Sequence, residues 1–182
     1  MASTYSNLGI ELVGTGEQAG SWGTTTNNNL GTLIDQAISG YITQAVTTGG
    51  LVALLMPNGS NSVGRNMYIQ LTGTGGEDTV VTFPAGKNKL FFIWNNSSGE
   101  VQVKSAAAGS VGVVLSAGTR AALVSNGTEV YMAVNNVVPS KGIILWYDSL
   151  ANLPSGWVVC DGSNGTPSLT SPTLGVYYVM KL

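Results

Sequence analysis

From Gly50 onward the chain alternates apolar and polar residues with a period of two, in short runs cut apart by turn residues. The runs are LVALLM, NMYIQLT, TVVTF, KLFFIWN, EVQVK, VGVVL, TRAALVS and TEVYMAV. Between them lie PNGSNSVG, GTGGED, PAGKN, NSSGE, AAAGS, SAGT and SNGT. Successive side chains of a strand point to opposite faces, whereas an amphipathic helix repeats once per turn, so this spacing admits strands. About eight strands so spaced predict a mainly β chain, an antiparallel β-sandwich or barrel rather than a parallel sheet with crossover helices. Within KLFFIWN the stretch LFFIW is apolar on both faces, which fits a central strand buried on both sides or one at a subunit interface.

The chain before Gly50 reads differently. A short strand, Leu8 to Val13, leads into the Gly-rich loop GTGEQAGSWGTTT. Leu30, Leu33, Ile34, Ala37 and Ile38 then fall on one helical stripe. Thr26 or Asn27 is placed to cap the first turn, and Gly40 to close the helix in a left-handed conformation. Gly31 weakens this helix, so it relies on packing. At the other end NNVVPS (Asn135–Ser140) reads as a linker, followed by strands at Ile143–Tyr147, Trp157–Cys160 and Val176–Lys181. The expected organisation is a strand–helix attachment segment at 1–48, a β-sandwich at 49–137 and a small β knob at 138–182.

Charged residues make up 9% of the chain, against roughly 25% in an ordinary soluble domain. The polar surface must come from Ser, Thr, Asn and Gly, and large apolar patches are rare on soluble monomers. An oligomer whose subunits cover one another is the reading that follows. Net charge is −2 and the seven Lys and Arg are scattered, which excludes the clustered positive field of a nucleic-acid binder. The opening MASTYSNLGIELVG has no basic segment followed by an apolar run, and Leu51–Met56 is too short to cross a bilayer. Synthesis in a cytoplasm, with no membrane insertion, is therefore expected.

Catalytic equipment is sparse. The chain has no histidine and one cysteine, Cys160. That removes the usual general base, the commonest metal ligand, cysteine zinc clusters and any intrachain disulfide. Of nine acids the only adjacent pair is Glu77–Asp78, inside a Gly-rich turn where turn chemistry alone explains it. GTGEQAG lacks both the spacing and the lysine of a phosphate loop. Cys160 follows Val158 and Val159 with no cation nearby, as a packed hydrophobe would. No catalytic residue, cofactor or metal is expected. Large aromatics remain, and they serve more often as anchors than as sites. Trp146 and Tyr147, with Glu77 and Asp78 at a projecting loop tip, are the candidate receptor or partner contacts.

Two stretches resemble known phage proteins. In KGIILWYDSLANLPSGWVVCDGSNGTPSL, a strand ending in aromatics leads to Pro154, Gly156, Trp157, Cys160, Asp161 and Gly162, then Thr166, Pro167 and Leu169. This resembles the phage tail-collar domain, shortened by loss of the variable region that usually precedes the last strand; only TSPTLG stands there. IELVGTGEQAGSWGTTTNNNLGTLIDQAISGY is similar to the opening of phage tail-fibre proteins, carried by Gly20, Trp22, Asn27, Asn29 and Leu30. The resemblance implies a homotrimeric tail-fibre or fibre-tip subunit of the virion, binding other tail or baseplate proteins and contributing to attachment to a host surface glycan or protein. It makes the six motif residues structural: a tight turn at Pro154–Gly156, a plugging Trp157, and a return turn capped by Asp161. Two alternatives stand beside it, a capsid decoration or head-fibre protein and a polysaccharide-degrading receptor enzyme.

Overall fold

A computed structural model describes residues 2–134, 140–154, 156–170 and 175–182. The chain divides into two compact units, Met1–Val134 and Asn135–Leu182. The expected linker at Asn135–Ser140 lies, except for Ser140, outside the described residues.

The first unit opens with a two-residue antiparallel hairpin, β1 (Thr4–Tyr5) and β2 (Glu11–Leu12). A helix follows, starting at Trp22 rather than at the expected Thr26 or Asn27 cap. It comprises α1 (Trp22–Asn28), a π-type segment (Asn29–Ile34) and α2 (Asp35–Ser39). The π segment widens the turn and breaks the apolar stripe. Leu33 and Ala37 are buried, while Leu30 and Ile38 are left exposed. Gly40 does not adopt the left-handed conformation either: its φ is −63°. A Cβ there would lie 2.4 Å from Asn66 Oδ1, so close approach, not backbone freedom, calls for glycine.

Nine strands then build two packed sheets: β3 (Tyr41–Val46), β4 (Leu51–Ala53), β5 (Tyr68–Gly73), β6 (Val80–Phe83), β7 (Asn88–Asn95), β8 (Val101–Ser105), β9 (Val113–Leu115), β10 (Arg120–Asn126) and β11 (Val130–Met132). One sheet has the order β11-β10-β7-β5-β3 and the other β4-β6-β8-β9. Every run predicted from Gly50 to Val134 contains a strand. The direction of pairing differs from the antiparallel expectation, because β3, β5 and β7 are mutually parallel, as are β4, β6 and β8. From β3 to β8 the chain crosses between the sheets after every strand, so β4 and β6 of the second sheet are the return connections between parallel neighbours of the first. Three coils result, β3/β4, β5/β6 and β7/β8. Only after β8 does the chain reverse, with β9 antiparallel to β8 and β10 antiparallel to β7. No barrel closes. The coil begins at β3, so the expected boundary between an attachment segment (1–48) and a sandwich (49–137) falls inside it, just after β3.

Parallel register stacks like on like through the core. Ile42, Ile69, Ile93 and Ala121 form one column, and Val52, Val81, Val103 and Val113 another. Phe83 and Phe91, fully buried, stack across the sheets at 4.8 Å between centroids. Each such side chain contributes about 1.5–3 kcal/mol by leaving water. The turn after β7 is tied by buried Asn95, whose Nδ2 donates to Gly99 O (2.9 Å) and Leu115 O (2.8 Å) while its Oδ1 accepts from Ser97 Oγ (2.6 Å). The long connection 54–67 is held by buried Arg65, which donates to Pro57 O (2.5 Å) and Ser60 O (2.9 Å).

The second unit is a three-stranded antiparallel sheet, order β12-β14-β13, of β12 (Ile143–Trp146), β13 (Trp157–Val159) and β14 (Tyr177–Lys181). Val179 and Met180 on the middle strand and Cys160 beyond β13 are its buried apolar residues.

Candidate binding face

The outer surface of the five-stranded sheet carries the most unusual arrangement in the first unit. Alternation sends Phe91 and Ile93 into the core, which leaves Leu90, Phe92 and Trp94 of β7 on the opposite face. Register aligns Phe92 with Tyr68 and Tyr41, so three rings stand side by side across three strands. Their centroids are 5.4 Å (Tyr41–Tyr68) and 6.4 Å (Tyr68–Phe92) apart, and their planes differ by 21° and 17°. The next row up is Thr43, Gln70, Trp94 and Arg120. The Arg120 guanidinium lies 4.1 Å from the centre of the Trp94 ring, a cation–π contact. The row below adds Leu90, Val124 and Tyr131.

This face is open. Tyr41 is 56% exposed, Tyr131 49%, Leu90 46% and Phe92 37%. Arg120 is the one charged residue among the outward-facing strand positions, and its charge already sits on Trp94. A depression of about 300 Å³ between Tyr68, Phe92, Arg120 and Ala122 marks its centre. At the start of β7 a second, mostly apolar depression of about 410 Å³ is bordered by Leu8, Ile38, Met67 and Leu90. Lys89 also lines it; burial and the nearby Arg65 charge push its amine down to about 8, and it donates to Asn66 O at 2.9 Å. Flat stacked rings with almost no ionic groups suit a large apolar or sugar-like contact, and supply no acid, base or nucleophile.

The residues singled out in the sequence lie elsewhere. Glu77 and Asp78 occupy the 74–79 turn between β5 and β6, with Asp78 at φ +59°, and border a dent of about 210 Å³ together with Glu100. Trp146 ends β12 half-buried, its indole N–H 3.3 Å from Ser149 O, and Tyr147 is 73% exposed. These two belong to the second unit and the acidic pair to the first.

The six motif residues surround one strand. Trp157 N–H donates to Pro154 O (3.2 Å), closing a turn in which Gly156 has φ +81°. The Trp157 ring is half-buried, with Lys181 Nζ 5.5 Å from its centre. Cys160 is buried; its N–H donates to Tyr178 O (2.9 Å) and its carbonyl accepts from Leu169 N (2.9 Å). Burial, reinforced by the Asp161 charge, pushes its thiol up, the reverse of a nucleophile. Asp161 accepts from Ser163 N (2.8 Å) and Ser163 Oγ (2.5 Å), which caps the return turn and holds its carboxyl below the usual range. Gly162 follows at φ +85°.

Among the described residues no group of three or more His, Cys, Asp or Glu side chains is placed to hold a metal ion. No helix among them is long and apolar enough to cross a membrane. Compared with family models, with curated proteins and with solved structures, the chain shows no match in any of the three.

Proposed function

We propose that the chain is a virion structural protein of a tailed phage, a homotrimeric tail-fibre or fibre-tip subunit that contributes to tail assembly and host attachment. The observation carrying this reading is the exposed ring ladder Tyr41–Tyr68–Phe92 beside Leu90 and Tyr131, on a face with one charge. A surface of that kind is stable in water when another subunit covers it. The tail-collar-like Pro154–Gly162 segment and the fibre-like opening segment support the same reading. In it the motif residues shape the knob and carry no chemistry.

Native mass spectrometry of the intact chain beside Phe92→Glu tests the assembly. A trimer, or a multiple of three, that Phe92→Glu reduces while the β circular dichroism is retained supports the reading; a wild-type monomer at micromolar concentration overturns it. Immunogold labelling of phage particles places the protein on tail or head and so separates fibre from capsid decoration. Incubation with host surface polysaccharide and finding shortened chains would favour the enzyme alternative.

A further inference from the structure

The first coil, β3/β4, ends the two-sheet stack with an edge on both sheets that no strand among the described residues pairs, one of its carbonyls, Ala45 O, accepting only from its neighbour Gln44 Nε2 at 2.9 Å. Tyr68 N–H donates to Gly40 O and Thr74 N–H to Val46 O, so the even-numbered residues of β3 bond inward to β5. The backbone groups of Tyr41, Thr43 and Ala45 therefore face outward, where no strand among the described residues meets them. On β4, Val80 N–H donates to Gly50 O and Leu54 N–H to Thr82 O, which turns Leu51 and Ala53 outward in the same way.

Exposed edges are ordinarily guarded by charges, prolines, bulges or short strands. β3 has none of them, and β4 has only its three-residue length. β3 is six residues long, and from Gln36 to Gly64 the sequence contains no Asp, Glu, Lys or Arg. Its one proline, Pro57, lies beyond β4. The opposite end of the stack is built differently. There β9 and β11 have three residues each, and the Glu129 carboxylate accepts from the free amides of Val111, Gly112 and Val130, each at 2.8 Å. One end is short on both sheets and closed by a charge; the other has the six-residue β3 and no charge.

We infer that the β3/β4 edge is a docking edge for a second copy of this chain, joined antiparallel about a twofold axis. The alternating donors and acceptors of such an edge are complementary to themselves: Thr43 pairs with its own symmetry mate, and Tyr41 with the mate's Ala45. No charge opposes the approach. Both sheets then continue across the junction, and Leu51, 70% exposed, is covered along with the backbone. Edge and aromatic face share Tyr41, which gives its backbone to the one and its ring to the other; the pairing is made by backbone groups, so it goes beyond trimer formation and does not depend on it.

Light scattering after size exclusion tests this on the full chain, beside Thr43→Pro and Ala45→Lys. The Thr43 N–H points off the sheet, so proline there removes no internal hydrogen bond. Lysine at position 45 guards the edge without altering the backbone, and keeps the test open if the proline variant misfolds. The expected result is an even multiple of the 18.7 kDa chain, halved in both variants with the β spectrum retained. A wild-type particle with an odd number of chains, or a mass that neither folded variant changes, overturns the inference. A fall from six chains to three upholds both this edge and the trimer; a fall from two to one upholds the edge and removes the trimer.

Discussion

Removing the Asn95 side chain gives the sharpest test of how the coil is held. Asn95 is fully buried at the end of β7, and its amide makes four hydrogen bonds. It donates to Gly99 O at 2.9 Å and Leu115 O at 2.8 Å, and accepts from Ser97 Oγ at 2.6 Å and Ser97 N–H at 3.2 Å. One side chain thus ties the β7–β8 turn to itself and to β9. At about 1 kcal/mol net per bond, Asn95→Ala forfeits about 4 kcal/mol. The Gly99 carbonyl keeps Ser97 Oγ at 3.0 Å, which lowers the expected loss to about 3 kcal/mol. Urea unfolding followed by circular dichroism reads this directly, provided the slope with denaturant is unchanged. Asn96→Ala, at the exposed neighbouring position, is the control and should stay within about 0.5 kcal/mol. A loss below about 1 kcal/mol for Asn95→Ala would refute the view that buried amide bonds, rather than shape alone, fix this turn.

Two further outcomes follow from the geometry. Four hydrogen bonds, the strongest from Ser110, hold the Glu129 carboxyl down to about 2, below its ordinary value near 4.5. Its contribution to stability is therefore complete above the ordinary carboxylate range and is lost as pH falls toward 2; thermal melts between neutral pH and pH about 2.5 should show this loss in the native chain and much less of it in Glu129→Gln. Gly73 has φ +106°, and a Cβ there would stand 2.2 Å from Val46 O, so Gly73→Ala should cost more than about 2 kcal/mol by displacing β3; an unchanged urea midpoint would contradict it.

The strands were legible because their signal is local. Val101–Lys104 alternates whatever its neighbours do. Strand direction was not legible, since period-two alternation is identical in parallel and antiparallel sheets. The expectation that parallel neighbours need a crossover helix missed that a strand of a facing sheet makes the return as well. β3 escaped notice because it starts two residues after the helix ends and places Gln44 at an inward position. The helix stripe misled because a π segment cannot be seen in apolar spacing.

The aromatic face was hidden for a related reason. Tyr68 and Phe92 sit in two separate runs and Tyr41 in none, and only register makes them neighbours. LFFIW, apolar on both faces, was the available signal. It pointed to β7 without revealing what stood beside it, whereas Trp146 and Tyr147 stood out as large aromatics and the Glu77–Asp78 tip by its turn residues. The Pro154–Gly162 turns could be read residue by residue because proline, glycine and Asp-Gly act within a few positions of themselves.

The coil also bears on the order of folding. Parallel sheets are usually slow to form because partners lie far apart and long loops must close before any contact rewards them. Here Tyr41 meets Tyr68 and Tyr68 meets Phe92, separations of 27 and 24 residues. Each new coil closes a loop of similar, modest length, and loop entropy grows only with the logarithm of that length. A parallel architecture is thus reached by steps longer than a hairpin's but nearly constant in length, each coil laid on the last as the chain lengthens.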